Sequence, residues 1–130
     1  MNTIITICIL INIHYPSNDI NSIRYFNERI NVAMESYCWL GIEYDIVTDG
    51  KTCDVDIYPY FDFFSNPTYL GITVGSFQNN KKLYGTPYIL LNKDLAYDDF
   101  IHVMRHEIEH FLVLEHSIDY KSLMFETYRG

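Results

Sequence analysis

The sequence predicts one α+β domain: a mixed, mostly parallel sheet of about five strands packed on a long helix, with a second helix late in the chain. Three observations predict it. The length, 130 residues, suits one ordinary domain and is too short for two. The first sixty residues read strand, long helix, strand, strand, the order of a parallel crossover. A second stretch of helical period appears only after the last strand-like run.

Residues 4–13 form the first element. Ile5, Ile7, Ile9, Ile11 and Ile13 alternate with Thr6, Cys8, Leu10, Asn12 and His14, the period of a strand. The run is too short and too interrupted to span a membrane. It has no basic residues before it and no small-residue cleavage site after it, so it is not a signal peptide. By this reading the chain is cytoplasmic. Pro16, Ser17, Asn18 and Asp19 then break the pattern and offer helix caps. Ile20, Ile23, Phe26, Ile30, Ala33, Met34 and Tyr37 follow helical spacing up to Trp39, and Gly41 supplies a stop. Residues 42–47 read as a strand, Asp49-Gly50 as a turn, and 54–60 as another strand with Val55 and Ile57 on one face. Residues 61–69 are irregular. Strand-like runs at 70–77 and 84–91 flank a polar turn. Asp98 or Asp99 can cap a second helix running to about Val113. A loop with a short apolar turn at Leu123-Met124-Phe125 follows.

Composition narrows the function classes. Hydrophobic residues make up 48% and charged residues 20%, the balance of a soluble globular chain. A net charge of −8 argues against a nucleic-acid surface or a polybasic membrane contact. The charge says little about a peptide or protein substrate; a monomer is expected. The odd cysteine count (Cys8, Cys38, Cys53) is no disulfide framework, although a Cys38–Cys53 bridge stays open.

The chemistry concentrates in the second helix. Residues 106–110 read His-Glu-Ile-Glu-His. Histidines four apart share one helix face and can reach one ion. Catalytic zinc takes three protein ligands and keeps a place for water, so a third is needed. His116 stands six residues on, just past the expected helix end. A helical wheel clusters Ile101, Met104, Ile108, Phe111 and Leu112 as the core face. His102, His106 and His110 form a separate stripe, Arg105 and Glu109 fall on a polar arc, and Glu107 points toward apolar residues. A buried carboxylate is costly unless something compensates it, and a metal-activated water beside Glu107 supplies a reason for it. His102 reads as a packing or supporting residue, and His14 as structural.

The pattern His106-Glu107-x-x-His110-x-x-Val113-x-x-His116 resembles the long zinc signature of the metzincin metallopeptidases. Ser117 and the stretch Ser122-Leu123-Met124, with Tyr128 four residues after Met124, are similar to the matrixin (matrix-metalloproteinase-like) branch. Asp54-Val55-Asp56-Ile57 and Leu70-Gly71-Ile72-Thr73-Val74 resemble matrixin strands, the latter the edge strand that pairs with substrate. The resemblance implies a single metzincin-like catalytic domain over residues 1–130. It implies a zinc-dependent metalloendopeptidase with one catalytic zinc on His106, His110 and His116, and Glu107 as the base. It also implies substrate contacts at Gly71, Ile72 and Tyr128, a Met-turn at Met124, and mostly secreted relatives. Val113 replaces the family glycine, so a non-standard turn is expected there, and Glu126 replaces the family proline. The chain ends at Gly130, so the family's C-terminal helix is not expected, and no propeptide with a zinc-blocking cysteine is expected before the domain. The structural zinc site should be absent, because residues 60–95 hold no histidine. Calcium at Asp49, Asp54, Asp56 and Asp62 is not supported over solvated turn carboxylates. The alternative is a degenerate zinc-binding module on the same fold that binds peptides or a protein partner. A third class is a metal-free helical interaction protein.

Overall fold

The computed structural model describes residues 7–47, 52–78, 81–82 and 85–116. Strand β1 (Ile7–Ile13) leads into helix α1 (Ile20–Glu35), a 3-10 turn (Cys38–Leu40) and β2 (Ile42–Val47). Then come β3 (Val55–Phe61), β4 (Gly71–Val74), the short β5 (Phe77–Gln78) and β6 (Lys81–Lys82), β7 (Tyr88–Asn92) and α2 (Tyr97–His116). The main sheet has the order β2-β1-β3-β7-β4. Its first four strands run parallel, and β4 pairs antiparallel with β7 at the edge. Strands β5 and β6 pair separately. The sequence-predicted class, α+β with a mostly parallel sheet and two helices, is the one observed.

One face of the sheet is buried and the other is open. Ile9, Ile11 and Ile13 from β1, Val55 and Ile57 from β3, and Ile89 and Leu91 from β7 are all buried. They join Phe26, Ile30, Ala33 and Met34 of α1 and the apolar face of α2 in one core cluster. The alternation of β1 and β3 follows from covering a single face. On the open face Tyr58 and Tyr88 are exposed. There the His14 ring stacks on Tyr58 at 4.1 Å and its Nε2 lies 2.8 Å from the Asp56 carboxylate. The β3–β7 register shifts between Tyr58 and Phe61, where Pro59 has no N–H to give the ladder.

Helix boundaries follow local chemistry. Asp19 is the N-cap of α1, but its side chain makes no capping bond; instead its own N–H donates to Ser17 Oγ. Gly41 adopts φ 84°, the left-handed conformation that glycine accepts without strain, and closes the 3-10 turn onto Cys38. Helix α2 begins one position before Asp98 and Asp99, so these acids occupy its first turn and favour the positive end of its dipole. At its other end α2 corrects the sequence expectation. It does not stop near Val113 but continues to His116. Val113 is β-branched and resists the left-handed turn a glycine would permit, and it packs against the core instead. The Glu115 carboxylate accepts hydrogen bonds from the N–H and Oγ of Ser76, which ties the last turn to the segment after β4. No helix among the described residues is long and apolar enough to cross a membrane.

Two contacts set how α2 sits. Gly71 of β4 lies so close to it that a Cβ there would stand 2.9 Å from Val103 Cγ1 and 3.0 Å from Glu107 Cγ. On the opposite side, Tyr37 donates its hydroxyl to Glu109 Oε1 at 3.0 Å, deep in the interior. Glu109 is 3% exposed, which corrects its placement on a polar arc: the wheel could not know that Tyr37, just past the end of α1, would cover it.

Gly71→Ala is therefore expected to destabilise the fold by about 1–3 kcal/mol, from overpacking against α2, read as a lower urea midpoint at unchanged slope. Tyr37→Phe should cost about 1–3 kcal/mol by removing a donor from a buried carboxylate. Burial, then the nearby Glu109 charge, pushes the Tyr37 phenol well above its ordinary 10.0. A raised folded value means stability is fully present below pH 10 and is lost as the pH rises beyond it. Urea midpoints from neutral pH to above pH 10 should fall more steeply for wild type than for Tyr37→Phe.

Candidate metal centre

Helix α2 presents three kinds of side chain in the five residues from 106 to 110. Ile108 is fully buried in the core, His106 and His110 are exposed, and Glu107 and Glu109 are buried on either side. The exposed stripe of His102, His106 and His110 is present as the wheel predicts.

His106 Nε2 and His110 Nε2 lie 3.0 Å apart, with the rings perpendicular and their centroids 4.6 Å apart. Two tetrahedral ligands at the usual zinc–nitrogen distance stand roughly 3.3 Å apart. The pair thus has nearly the spacing one ion requires. A Glu107 carboxylate oxygen joins them, the three ligand atoms lying within 4.8 Å of one another. This donor set, two imidazoles and a carboxylate partly open to solvent, fits a borderline-soft divalent ion.

Glu107 is 6% exposed and needs a partner. It finds one on the sheet edge: Thr73 Oγ1 lies 2.7 Å from Glu107 Oε1 and 3.0 Å from the Glu107 carbonyl oxygen. A groove of about 340 Å³ opens here, lined by Leu70, Gly71, His102, Val103, His106 and Glu107. The sequence-predicted substrate residue Gly71 thus stands beside the histidines, on the edge strand, with Ile72 next to it. His102 lines the groove but is not part of the three-atom cluster.

His116 is the departure. The helix carries it roughly 9 Å beyond His110 along the axis and round to another side. Its ring rests 5.2 Å from Phe111. It borders a different groove, with Cys53, Asp54, Thr86 and Pro87. The structure brings His106, Glu107 and His110 together and does not bring His116 to them. The physical reason is the unbroken last turn of α2. Met124 and Tyr128, and with them the expected Met-turn, lie outside the described residues, as does Asp49.

The remaining candidate groups are engaged elsewhere, and Asp56 also meets His14. Asp54 accepts the Leu10 N–H at 2.8 Å. Asp56 accepts from Asn12 Nδ2 at 3.0 Å, and Asp62 pairs with Lys93 at 3.3 Å. Cys8, Cys38 and Cys53 are free thiols. Burial, then Asp56, raises the Cys53 thiol above its ordinary value, which disfavours its thiolate. Sequence reasoning missed Thr73, Tyr37 and the Ser76–Glu115 pair. Each of these contacts joins residues more than thirty positions apart, and no local pattern announces such a pairing.

No family model and no curated protein matches this chain. Among solved structures, it is similar to a chain of the "GM1 bound form of the ECX AB5 holotoxin", with a TM-score of 0.51 and 15% sequence identity. The match covers 81% of this chain and 51% of that one, so this chain spans about half the length of its neighbour. At that identity the likeness speaks to the fold alone.

Proposed function

We propose that this protein is a zinc-dependent metalloendopeptidase that hydrolyses extended polypeptides. The observation that carries the reading is the pair of imidazole nitrogens 3.0 Å apart with the buried Glu107 carboxylate beside them. His106 and His110 would hold the ion. His116 is the third ligand implied by the metzincin resemblance. For it to join, α2 must open its last turn and release Glu115 from Ser76. That loses a few hydrogen bonds at about 1–3 kcal/mol each, against metal-binding energies on the order of 10 kcal/mol.

A zinc ion held there would acidify water and polarise a scissile carbonyl. Glu107 takes the proton of the attacking water and returns it to the leaving amine. Its burial, with Thr73 on one oxygen, leaves it one carboxylate oxygen for that work. Among the described residues the outer side of β4 has no strand against it in the sheet order, and an extended peptide adds there beside Gly71 and Ile72. The adjoining groove receives a substrate side chain. The resemblance gives Met124 the Met-turn and Tyr128 a substrate contact; both lie outside the described residues.

A second reading, a zinc-binding module without catalysis that binds peptides or a partner, is favoured by the continuation of α2 through His116. Glu107→Gln separates the two, since it keeps the shape and removes the base. On the peptidase reading the variant folds, keeps its zinc and binds peptide, while cleavage falls at least about 100-fold. Equal cleavage by wild type and variant, purified identically, would place the activity elsewhere. Zinc-loaded wild type that cleaves nothing in a broad peptide library would leave the binding module as the function.

A further inference from the structure

The geometry points to Thr73 as a positioning residue that keeps Glu107 acting as a base rather than as a metal ligand. This inference rests on the peptidase reading.

Three observations carry it. First, the Glu107 carboxylate is close enough to both imidazoles to ligate, all three ligand atoms lying within 4.8 Å of one another. Nothing in its position on α2 forbids coordination. Second, Thr73 Oγ1 reaches Glu107 Oε1 at 2.7 Å and the Glu107 carbonyl oxygen at 3.0 Å. A hydroxyl has one proton to give. The shorter approach to a charged acceptor wins it, so the bond is to the carboxylate. Third, Glu107 Cγ is held against the edge strand, where even a Cβ on Gly71 would meet it at 3.0 Å.

The consequence is rotational. The last torsion of a glutamate is broad and roughly two-fold, so packing on Cγ does not fix where the two oxygens point. The Thr73 bond does. It holds Oε1 toward β4 and leaves Oε2 for a proton. Without it, the carboxylate can turn and offer its oxygens to the ion. Thr73 stands on the strand proposed to receive substrate backbone, so one short strand both aligns the peptide and aims the base.

Thr73→Val removes the donor at nearly constant volume, and Thr73→Ser keeps it. Folding is checked first by thermal melting. Each protein is then loaded with cobalt(II), and its visible spectrum is recorded beside its zinc affinity and its peptide-cleavage kinetics. The Val variant is expected to bind one metal with a cobalt spectrum altered from wild type. Adding Glu107→Gln to it should restore the wild-type spectrum. Its kcat should fall at least about tenfold with KM little changed. The Ser variant should resemble wild type throughout. A metal-loaded Val variant with the wild-type spectrum and kcat would overturn the role of Thr73 and leave the peptidase reading standing. A Val variant too unstable to load is replaced by Thr73→Ala under the same criteria. Wild type that takes up neither cobalt nor zinc would overturn the peptidase reading and this inference together.

Discussion

The rotation of α2 about its own axis decides where every group of the candidate site stands. Beside the Ser76–Glu115 bonds at its last turn, two buried hydroxyl–carboxylate bonds hold its middle, one on each flank. Thr73 reaches Glu107 from the sheet edge, and Tyr37 reaches Glu109 from beyond the end of α1. Bonds to charged acceptors contribute about 1.5–3 kcal/mol each, and both acceptors are buried, so losing a donor costs more than losing a surface contact. The apolar face formed by Met104, Ile108, Phe111 and Leu112 supplies the larger share of binding to the sheet. Apolar packing is non-directional and would tolerate a small roll of the helix. The two polar bonds and the close approach at Gly71 remove that freedom. With α2 so fixed, His106 and His110 face outward, and His106 lines the groove.

On the proposed reading, this arrangement puts costly groups where the chemistry needs them. A carboxylate at 6% exposure, next to two exposed imidazoles, is poorly explained by stability alone. Glu109, only two residues on, is as deeply buried, but its role is to lock α2 onto α1 through Tyr37. Two neighbouring glutamates therefore do different work, set by what each faces. One faces a groove on an open sheet edge, and the other faces the interior between helices. The open face of the sheet, with His14 stacked on Tyr58, lies on the side away from both helices and takes no part in the site.

Much of this was legible in the sequence, because it depends on period. The alternating isoleucines of β1 and the helical spacing of α1 and α2 followed from burying one face of each element. The histidine stripe was legible for the same reason: residues four apart on a helix share a side. What was not legible depends on contacts distant along the chain. Nothing near Glu107 identifies Thr73, and nothing near Glu109 identifies Tyr37. The end of α2, expected near Val113, lies three residues further on. Local chemistry favours helix there, with Val113 in place of glycine and Ser76 binding Glu115. The zinc signature and the local helix preference conflict over three residues, and that conflict separates His116 from the other two histidines.

The ligand set resolves that conflict. X-ray absorption at the zinc edge of zinc-loaded wild type, beside His116→Ala, counts the imidazoles around the ion. The account predicts three imidazoles with one further light atom at about 2.0–2.1 Å in wild type, and two imidazoles in the variant, with much weaker binding. Two imidazoles in both proteins with equal affinity would contradict it. So would a wild-type chain that binds no zinc.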